Sequence, residues 1–302
     1  EWAITKNYGA GNINRNRTAL TVINTWDFFN FLSLDFVMRQ LVVDQSLAPF
    51  TPSLSMKSTL PFNFVLRGKA AKSYRIPTFN DFFWEGLGDR GNPDLIPEEG
   101  ISFDIGLEQT SKIGQNTSIK NSATAFYTNI TNWIRWAPDS LGWTPENIDE
   151  LWTYGLELRG KYSYQNDQIR VTLSPTYNLV FAQANKEASE KVITSIGEQT
   201  TYTPKHQGGG HLAVSLKKLQ FTYSHSYTGL QFTDEENTTR WSLDPYQIAD
   251  AGVKYKFSTA NNKSISIRAE IKNIFNENYQ ARRAYPMPGR NYNITINFKI
   301  NN

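Results

Sequence analysis

The 302-residue sequence has no cysteine and only three histidines. Disulfides and thiolate metal sites are therefore excluded, although the absence of cysteine does not by itself fix a compartment. His206, His211 and His225 lack a helical metal-ligand spacing, and neither a Gly-x-Ser-x-Gly turn nor a phosphate loop occurs. The reading is of a protein that is not an enzyme and has no metal and no cofactor. Lys and Arg are scattered, and the formal net charge is +3, so nucleic acid is not an expected partner. No apolar run approaches the roughly 20 residues that a membrane helix needs, and the mean hydropathy is negative.

What the chain does contain is aromatic residues, 14% of the total, and alternation. In the run Arg290 to Ile300, Tyr292, Ile294, Ile296, Phe298 and Ile300 share one parity, while Asn291, Asn293, Thr295, Asn297 and Lys299 share the other. Side chains of a strand point to opposite faces in turn, so this run has one apolar and one polar face. Its partner Ser264 to Lys272 repeats the pattern with Ile265, Ile267, Ala269 and Ile271. Thirteen such candidates occur, at roughly 17–27, 32–43, 49–57, 61–72, 99–110, 118–134, 150–164, 168–182, 205–216, 219–230, 245–257, 263–274 and 289–300. Residues 1–16, rich in Gly and Asn, read as a loop. Gly208-Gly209-Gly210 falls within a strand, where a kink or a close backbone approach accounts for it.

Connections alternate in length. Short turns at 27–31, 58–60, 111–117, 165–167, 217–218 and 258–262 are interleaved with long ones at 73–98, 135–149, 183–204, 231–244 and 275–288. A soluble sandwich has no reason to place its long loops at one end, whereas outer-membrane barrels do. Aromatics at strand ends, among them Trp26, Phe28, Phe29, Phe31, Phe62, Trp133, Trp136, Trp152, Tyr162, Tyr164, Tyr227, Tyr246, Tyr255 and Phe257, fit the two interfacial girdles of a membrane barrel. A large soluble β-protein is the competing reading, but strands this long with one wholly polar face exceed the usual length. The fold class expected is all-β: an antiparallel transmembrane β-barrel in contact with outer-membrane lipid. Thirteen strands do not suit a closed bacterial barrel, whose count is even. The loop-like start at Glu1, with neither methionine nor signal peptide, reads as mature or excised material with upstream strands missing and the first strand, Arg17 to Asp27, open at its edge.

Two stretches carry a family resemblance. Ser73 to Phe83 with Gly91 to Glu98, including Tyr74, Arg75, Pro77, Asn92, Pro93 and Leu95, is similar to the mid-barrel loop of TonB-dependent outer-membrane receptors. Ile271 to Tyr279 with Pro286 to Arg290, including Asn273, Phe275, Asn276, Pro288, Gly289 and Arg290, resembles that family's C-terminal signature. The resemblance covers residues 1–302 as the C-terminal part of a barrel of about 22 strands, lacking roughly nine strands and the plug. It implies the outer membrane of a Gram-negative bacterium. It also implies import of a scarce metal chelate, cobalamin or a ferric siderophore, energised by the TonB–ExbB–ExbD complex through the missing plug segment. Alternatives are a carbohydrate or peptide importer of the same fold with a surface lipoprotein, and a passive porin. Haem receptors carry a histidine between the Arg-Pro and Asn-Pro-Leu boxes, and 78–91 contains none. Independently of family, Asn92-Pro93-Asp94 forms turns, since Pro93 fixes φ and its neighbours bond local backbone. Pro286, Pro288 and Gly289 stiffen the last long loop.

For ligand contact the candidates are loop aromatics and the arginines near them: Phe82, Phe83, Trp84, Arg90, Trp136, Trp143, Arg240 and Trp241. Such groups suit a large, partly apolar, anionic ligand through stacking and charge-assisted hydrogen bonds. The alternative for each is loop packing or a place in the interfacial belt.

The alternation makes a direct prediction. Arginine at Ile294 or Ile296 destabilises the barrel by about 2–4 kcal/mol where the residue lies near the bilayer midplane, and arginine at Asn293 has a mild effect. Unfolding from lipid vesicles in denaturant measures both, and equal effects would refute the assignment of faces.

Overall fold

The computed structural model describes residues 2–5, 13–86, 88–138, 142–186, 197–258 and 263–300. Fourteen strands follow one another in a single antiparallel sheet, each bonded to its neighbours in sequence. They are β1 (Trp2–Thr5), β2 (Ile13–Phe28), β3 (Leu32–Val43), β4 (Thr51–Leu60), β5 (Phe64–Arg75), β6 (Glu98–Ile113), β7 (Thr117–Pro138), β8 (Trp143–Gln165), β9 (Ile169–Lys186), β10 (His206–Leu216), β11 (Leu219–Thr228), β12 (Tyr246–Ser258), β13 (Lys263–Lys272) and β14 (Asn291–Ile300). A two-residue strand, Ser46–Leu47, folds back on β3. Short hairpins Gln231–Phe232 with Ser242–Leu243, and Gln280–Arg282 with Tyr285–Pro286, lie in the long loops.

The register puts the two faces in order. One row of facing residues runs Phe28, Leu32, Ser58, Leu66, Leu107, Ala123, Leu158, Tyr177, Gly208, Tyr227 across ten strands, β2 to β11. The adjacent row reads Asp27, Ser33, Lys57, Arg67, Gly106, Thr124, Glu157, Asn178, Gln207, Thr228. Apart from Ser58 and Gly208 the first row is apolar, and apart from Gly106 the second is polar. Apolar side chains of the first parity face outward: Ile101, Phe103 and Ile105 are each at least half exposed, and Tyr292, Ile294, Ile296 and Phe298 are exposed likewise. Exposed apolar surface on this scale marks contact with another phase, and in a period of two along a continuous antiparallel ladder that phase is lipid.

Most expected turns are found. The hairpin between β4 and β5 turns at Pro61–Asn63 instead of 58–60, because Pro61 cannot donate to the ladder while Phe62 and Asn63 take the positive φ (both 59°) that reverses the chain. Residues 1–16 are not all loop: Trp2–Thr5 pairs with Ile13–Asn16. Backbone pairing needs no apolar alternation, which is why composition missed it. Beyond Asn16, no strand among the described residues pairs with that edge of β2. The expected long loop 135–149 is also corrected. β7 and β8, of 22 and 23 residues, stay paired to Pro138 and Trp143, roughly twice the 9–11 residues that cross a bilayer. The hairpin therefore projects well beyond the membrane. Parts of the expected connections at 135–149, 183–204 and 258–262 lie outside the described residues.

The girdle assignments are sorted by the same register. At the short-turn end, Phe29 stacks on Phe31 at 5.6 Å and Tyr255 meets Phe257 edge-on at 4.6 Å. Towards the other end Tyr127 meets Trp152, and Tyr154 stacks on Phe181 at 5.1 Å. Trp133 and Trp136 belong to the projecting hairpin instead. Tyr246 sits on the parity opposite Val253 and Tyr255, facing the lumen, where its ring packs tilted against Tyr279 at 4.6 Å.

Candidate functional site

All the long connections gather at one end of the sheet, and the polar residues of the two motif stretches tie them down. The loop after β5 turns into α1 (Phe79–Phe83) through a capping box in which Thr78 and Asp81 bond each other's backbone N–H groups. Arg75 grips Glu98 with two hydrogen bonds, Nε to Oε2 at 2.7 Å and Nη2 to Oε1 at 2.6 Å. This bond raises the Arg75 pKa above its ordinary value. Glu98, almost fully buried, also accepts the Ile134 N–H at 2.8 Å. Pro77 is fully buried, and its carbonyl accepts from Arg15 Nη1 at 2.8 Å. The Arg15 guanidinium lies over Phe79 and Phe82, and burial followed by Arg17 lowers its pKa.

Asn92 donates to the Pro145 carbonyl at 3.0 Å and receives the Asp94 N–H, while its own N–H goes to Asp81 O. Gly91 is required here because a Cβ would meet the Phe82 backbone at 2.5 Å. Leu95 is buried beneath. Asn147 closes the connection by accepting Ile96 N–H and donating to Ile96 O and Asn132 O. The loop 75–98 and the projecting β7–β8 hairpin are thus one body, stitched by hydrogen bonds.

The candidate residues fall into two groups. Trp136 donates its indole N–H to Asp81 at 3.2 Å, and Phe82 and Phe83 pack together at 5.6 Å; these three are built into the loop. Trp84 and Trp143 are exposed, as is Arg90, whose N–H bonds the Trp143 carbonyl at 3.0 Å. These three share the outer surface of the first body.

The second group lies over the other half of the mouth. Arg240 and Trp241, on a short 3-10 turn (Thr239–Trp241), are joined by Arg283 from the last long loop, whose guanidinium carbon is 3.7 Å from the Trp241 ring centre; Arg240 is at 4.9 Å. Next to them Arg282 lies over Tyr202 at 5.7 Å. Sequence reasoning missed Arg282, Arg283 and Tyr202, although Ala-Arg-Arg-Ala-Tyr between turn formers was the signal that could have raised them. This body is held by Gln199, buried and bonded to Ala182 N–H, Val180 O and Thr203 O, with its backbone paired to Asn237. Arg135 of the projecting hairpin forms an ion pair with Glu235 of the second body.

The closing signature is structural in the same way. Asn273, buried and at φ 51°, sends its N–H to Asp250 Oδ1, its amide to Glu277 O, and accepts Glu277 N–H. Asn276 Oδ1 receives the Arg290 N–H at 2.9 Å, and a Cβ on Gly289 would lie 2.8 Å from that same oxygen. The Pro288 carbonyl also takes a long bond from Asn273. Phe275 projects outward, exposed. Burial, Tyr246 and Asp250 together keep the Tyr279 phenol protonated above its ordinary range. Tyr74, half-buried, lies one residue before the end of β5.

An antiparallel sheet with an apolar outer face, a polar inner face and its long loops gathered at one end defines an outer-membrane β-barrel. The family model for "TonB dependent receptor-like, beta-barrel" matches residues 5–274, and the chain belongs to that family, one of receptors and transporters of the Gram-negative outer membrane. Vitamin B12 transporter BtuB of Photobacterium profundum is 26% identical over 236 residues, covering 76% of this chain and 34% of that protein. An iron-regulated outer membrane virulence protein of Vibrio cholerae is 26% identical over 216 residues, 67% of this chain and 31% of its own. The ferric enterobactin receptor PfeA of Pseudomonas aeruginosa shares the fold with a TM-score of 0.70 at 19% identity, covering 95% of this chain and 45% of that one. The siderophore receptor PirA of Acinetobacter baumannii gives 0.70 at 18%, covering 95% and 46%. The chain thus spans about a third of the length of the curated relatives it matches.

If Glu98 locks the first body, Glu98→Ala leaves the Ile134 N–H without its acceptor and the Arg75 guanidinium with only the Asp81 carboxylate, at 3.7 Å. Amide exchange at Ile134 should then lose protection worth about 1–3 kcal/mol. Unchanged protection would show that the loop is held elsewhere.

Proposed function

We propose that this chain is barrel wall from an outer-membrane importer of a scarce metal chelate, cobalamin or a ferric siderophore. The observation that carries the proposal is the mouth: two rigid bodies of loops that present exposed Trp and Arg above a polar inner wall. Relatives printed as a vitamin B12 transporter and an iron-regulated outer membrane protein support the same ligand class, as does the likeness to siderophore receptors. No covalent step is required. Trp84, Arg90 and Trp143 on one body and Arg240 and Trp241 on the other take the ligand by stacking and by charge-assisted hydrogen bonds. The wall, with Lys57, Arg67, Lys69, Asp104 and Glu157 on its polar face, encloses a plug. The TonB–ExbB–ExbD complex acts on that plug, drawing on proton-motive force.

Binding of cobalamin, ferric chelates and oligosaccharides to the intact receptor in detergent, together with planar-bilayer conductance, tests this. The expected result is submicromolar binding of one metal chelate and no large steady conductance. Steady conductance without chelate binding, or binding of oligosaccharide alone, would overturn it.

A further inference from the structure

A cavity of about 410 Å³ opens in the wall across β6 to β9, lined by Leu107, Ala123, Leu158 and Tyr177 of the outward row. It is a recess in the face that meets lipid, apart from both the lumen and the loops. Local chemistry keeps it open. The β8–β9 ladder lapses between the pairs Tyr162–Leu173 and Arg159–Thr176, where Pro175 has no N–H to give. Gly160 stands across from Asn121, and a Cβ on it would lie 3.0 Å from both Pro175 Cγ and the Tyr162 ring. The floor there is bare backbone.

An independent observation is polar. Asn121 and Gln109 face each other across the β6–β7 ladder, on the same outward parity as Ala123 and Leu107, and both line the cavity. Asn121 Oδ1 accepts the Tyr162 hydroxyl at 2.9 Å, and the Gln109 amide N–H2 donates to the Ser111 hydroxyl. Among the described residues this leaves one donor, the Asn121 N–H2, and one acceptor, Gln109 Oε1, without a partner. Facing hydrocarbon, such groups are costly until something bonds them. Their depth determines what is at hand. Each stands four residues from the short-turn end of its strand, at Ile113 or Thr117, which is about 10 Å of height for a strand tilted by ~45°. Short turns lie on the periplasmic side, so the two amides sit where headgroups join acyl chains in the periplasmic leaflet.

We propose that this recess is a binding site for one glycerophospholipid of the periplasmic leaflet. An ester carbonyl of the lipid accepts the Asn121 N–H2, and an N–H or O–H of its headgroup donates to Gln109 Oε1. One acyl chain lies over Gly160 and Ala123, between Leu158 and Tyr177. A lipid held through its chains alone would need neither amide. The proposal requires only that the chain is outer-membrane barrel wall and is independent of what is imported.

The test is native mass spectrometry of the intact receptor, extracted from outer membranes in mild detergent, with phosphatidylethanolamine and phosphatidylglycerol as the lipids scored. The expected result is one retained phospholipid per receptor. Retention should fall about fivefold or more in Asn121→Leu with Gln109→Leu, which removes the amides, and in Ala123→Phe, which fills the recess. Phe103→Leu, on the same face outside the recess, should keep it in full. Apolar replacements suit a lipid-facing wall, and heat-modifiable migration on gels reports whether each barrel has folded. Should Ala123→Phe fail to fold, the amide variant decides alone. Equal retention in the variants, retention of lipid A in place of phospholipid, or no retained lipid in the unaltered receptor overturns the proposal. Each of these outcomes leaves the import reading standing, because that reading is decided by chelate binding.

Discussion

Register is the constraint on which everything else in this molecule depends. In hydrocarbon a backbone N–H or C=O without a partner costs several kcal/mol, so the strands must stay bonded along their whole membrane-crossing length. Because side chains alternate with a period of two, a slip of one residue at any of these ladders would carry charge into lipid and isoleucine into the lumen. The adjacent rows from Phe28 to Tyr227 and from Asp27 to Thr228 hold across ten strands. Lys57 faces Arg67 directly across the β4–β5 ladder, an unfavourable neighbour for either charge. The rigid register keeps them together in the polar lumen, where water or an enclosed plug can solvate them.

Once the wall is fixed, the loops inherit its geometry. The β7–β8 hairpin continues the ladder beyond the membrane, so the loop 75–98 has a firm surface to pack on, and buried Glu98 and Asp81 accompany a small apolar core of Pro77, Leu95, Ile134, Ala137 and Pro145 there. Glu98, Asn92 and Asn147 each satisfy backbone groups on a neighbouring segment, and Asp81 caps its own helix at Thr78 while accepting the Trp136 indole N–H. The last loop is built the same way around Asn273 and Asn276. Residues of the two motif stretches therefore act mostly as builders. At the surface that the builders leave lie Trp84 and Trp143, exposed, and half-buried Trp241 with Arg240 and Arg283 over its ring.

The wall was legible in the sequence because lipid enforces alternation residue by residue: the facing of β5, β6, β9, β13 and β14 follows directly from parity. Turn positions were legible wherever Gly, Asn or Asp marked them, and slipped by three residues where Pro61 displaced the turn. The pairing of Trp2–Thr5 and the outer part of the β7–β8 hairpin were not legible. Outside the membrane both faces meet water or other loops, and the period of two no longer separates apolar from polar. The site was half legible for a related reason. Arg240-Trp241 announces itself as neighbours in sequence, but Arg283 reaches Trp241 only through the packing of two loops 42 positions apart. Trp136, a candidate for ligand contact from the sequence, donates its indole N–H to Asp81, a bond between β7 and the loop that the sequence did not announce.

The central claim is that odd-numbered residues of β6 face lipid and even-numbered ones face the lumen. A chain without cysteine allows single cysteines to be placed at each position from Ile101 to Glu108 in the intact receptor, spin-labelled in lipid bilayers, and their access to oxygen compared with access to a water-soluble nickel chelate. Labels at Ile101, Phe103, Ile105 and Leu107 should favour oxygen, and those at Ser102, Asp104, Gly106 and Glu108 should not, so the ratio alternates in sign. A profile without a period of two, or one in which both parities are reached from water, would contradict the account.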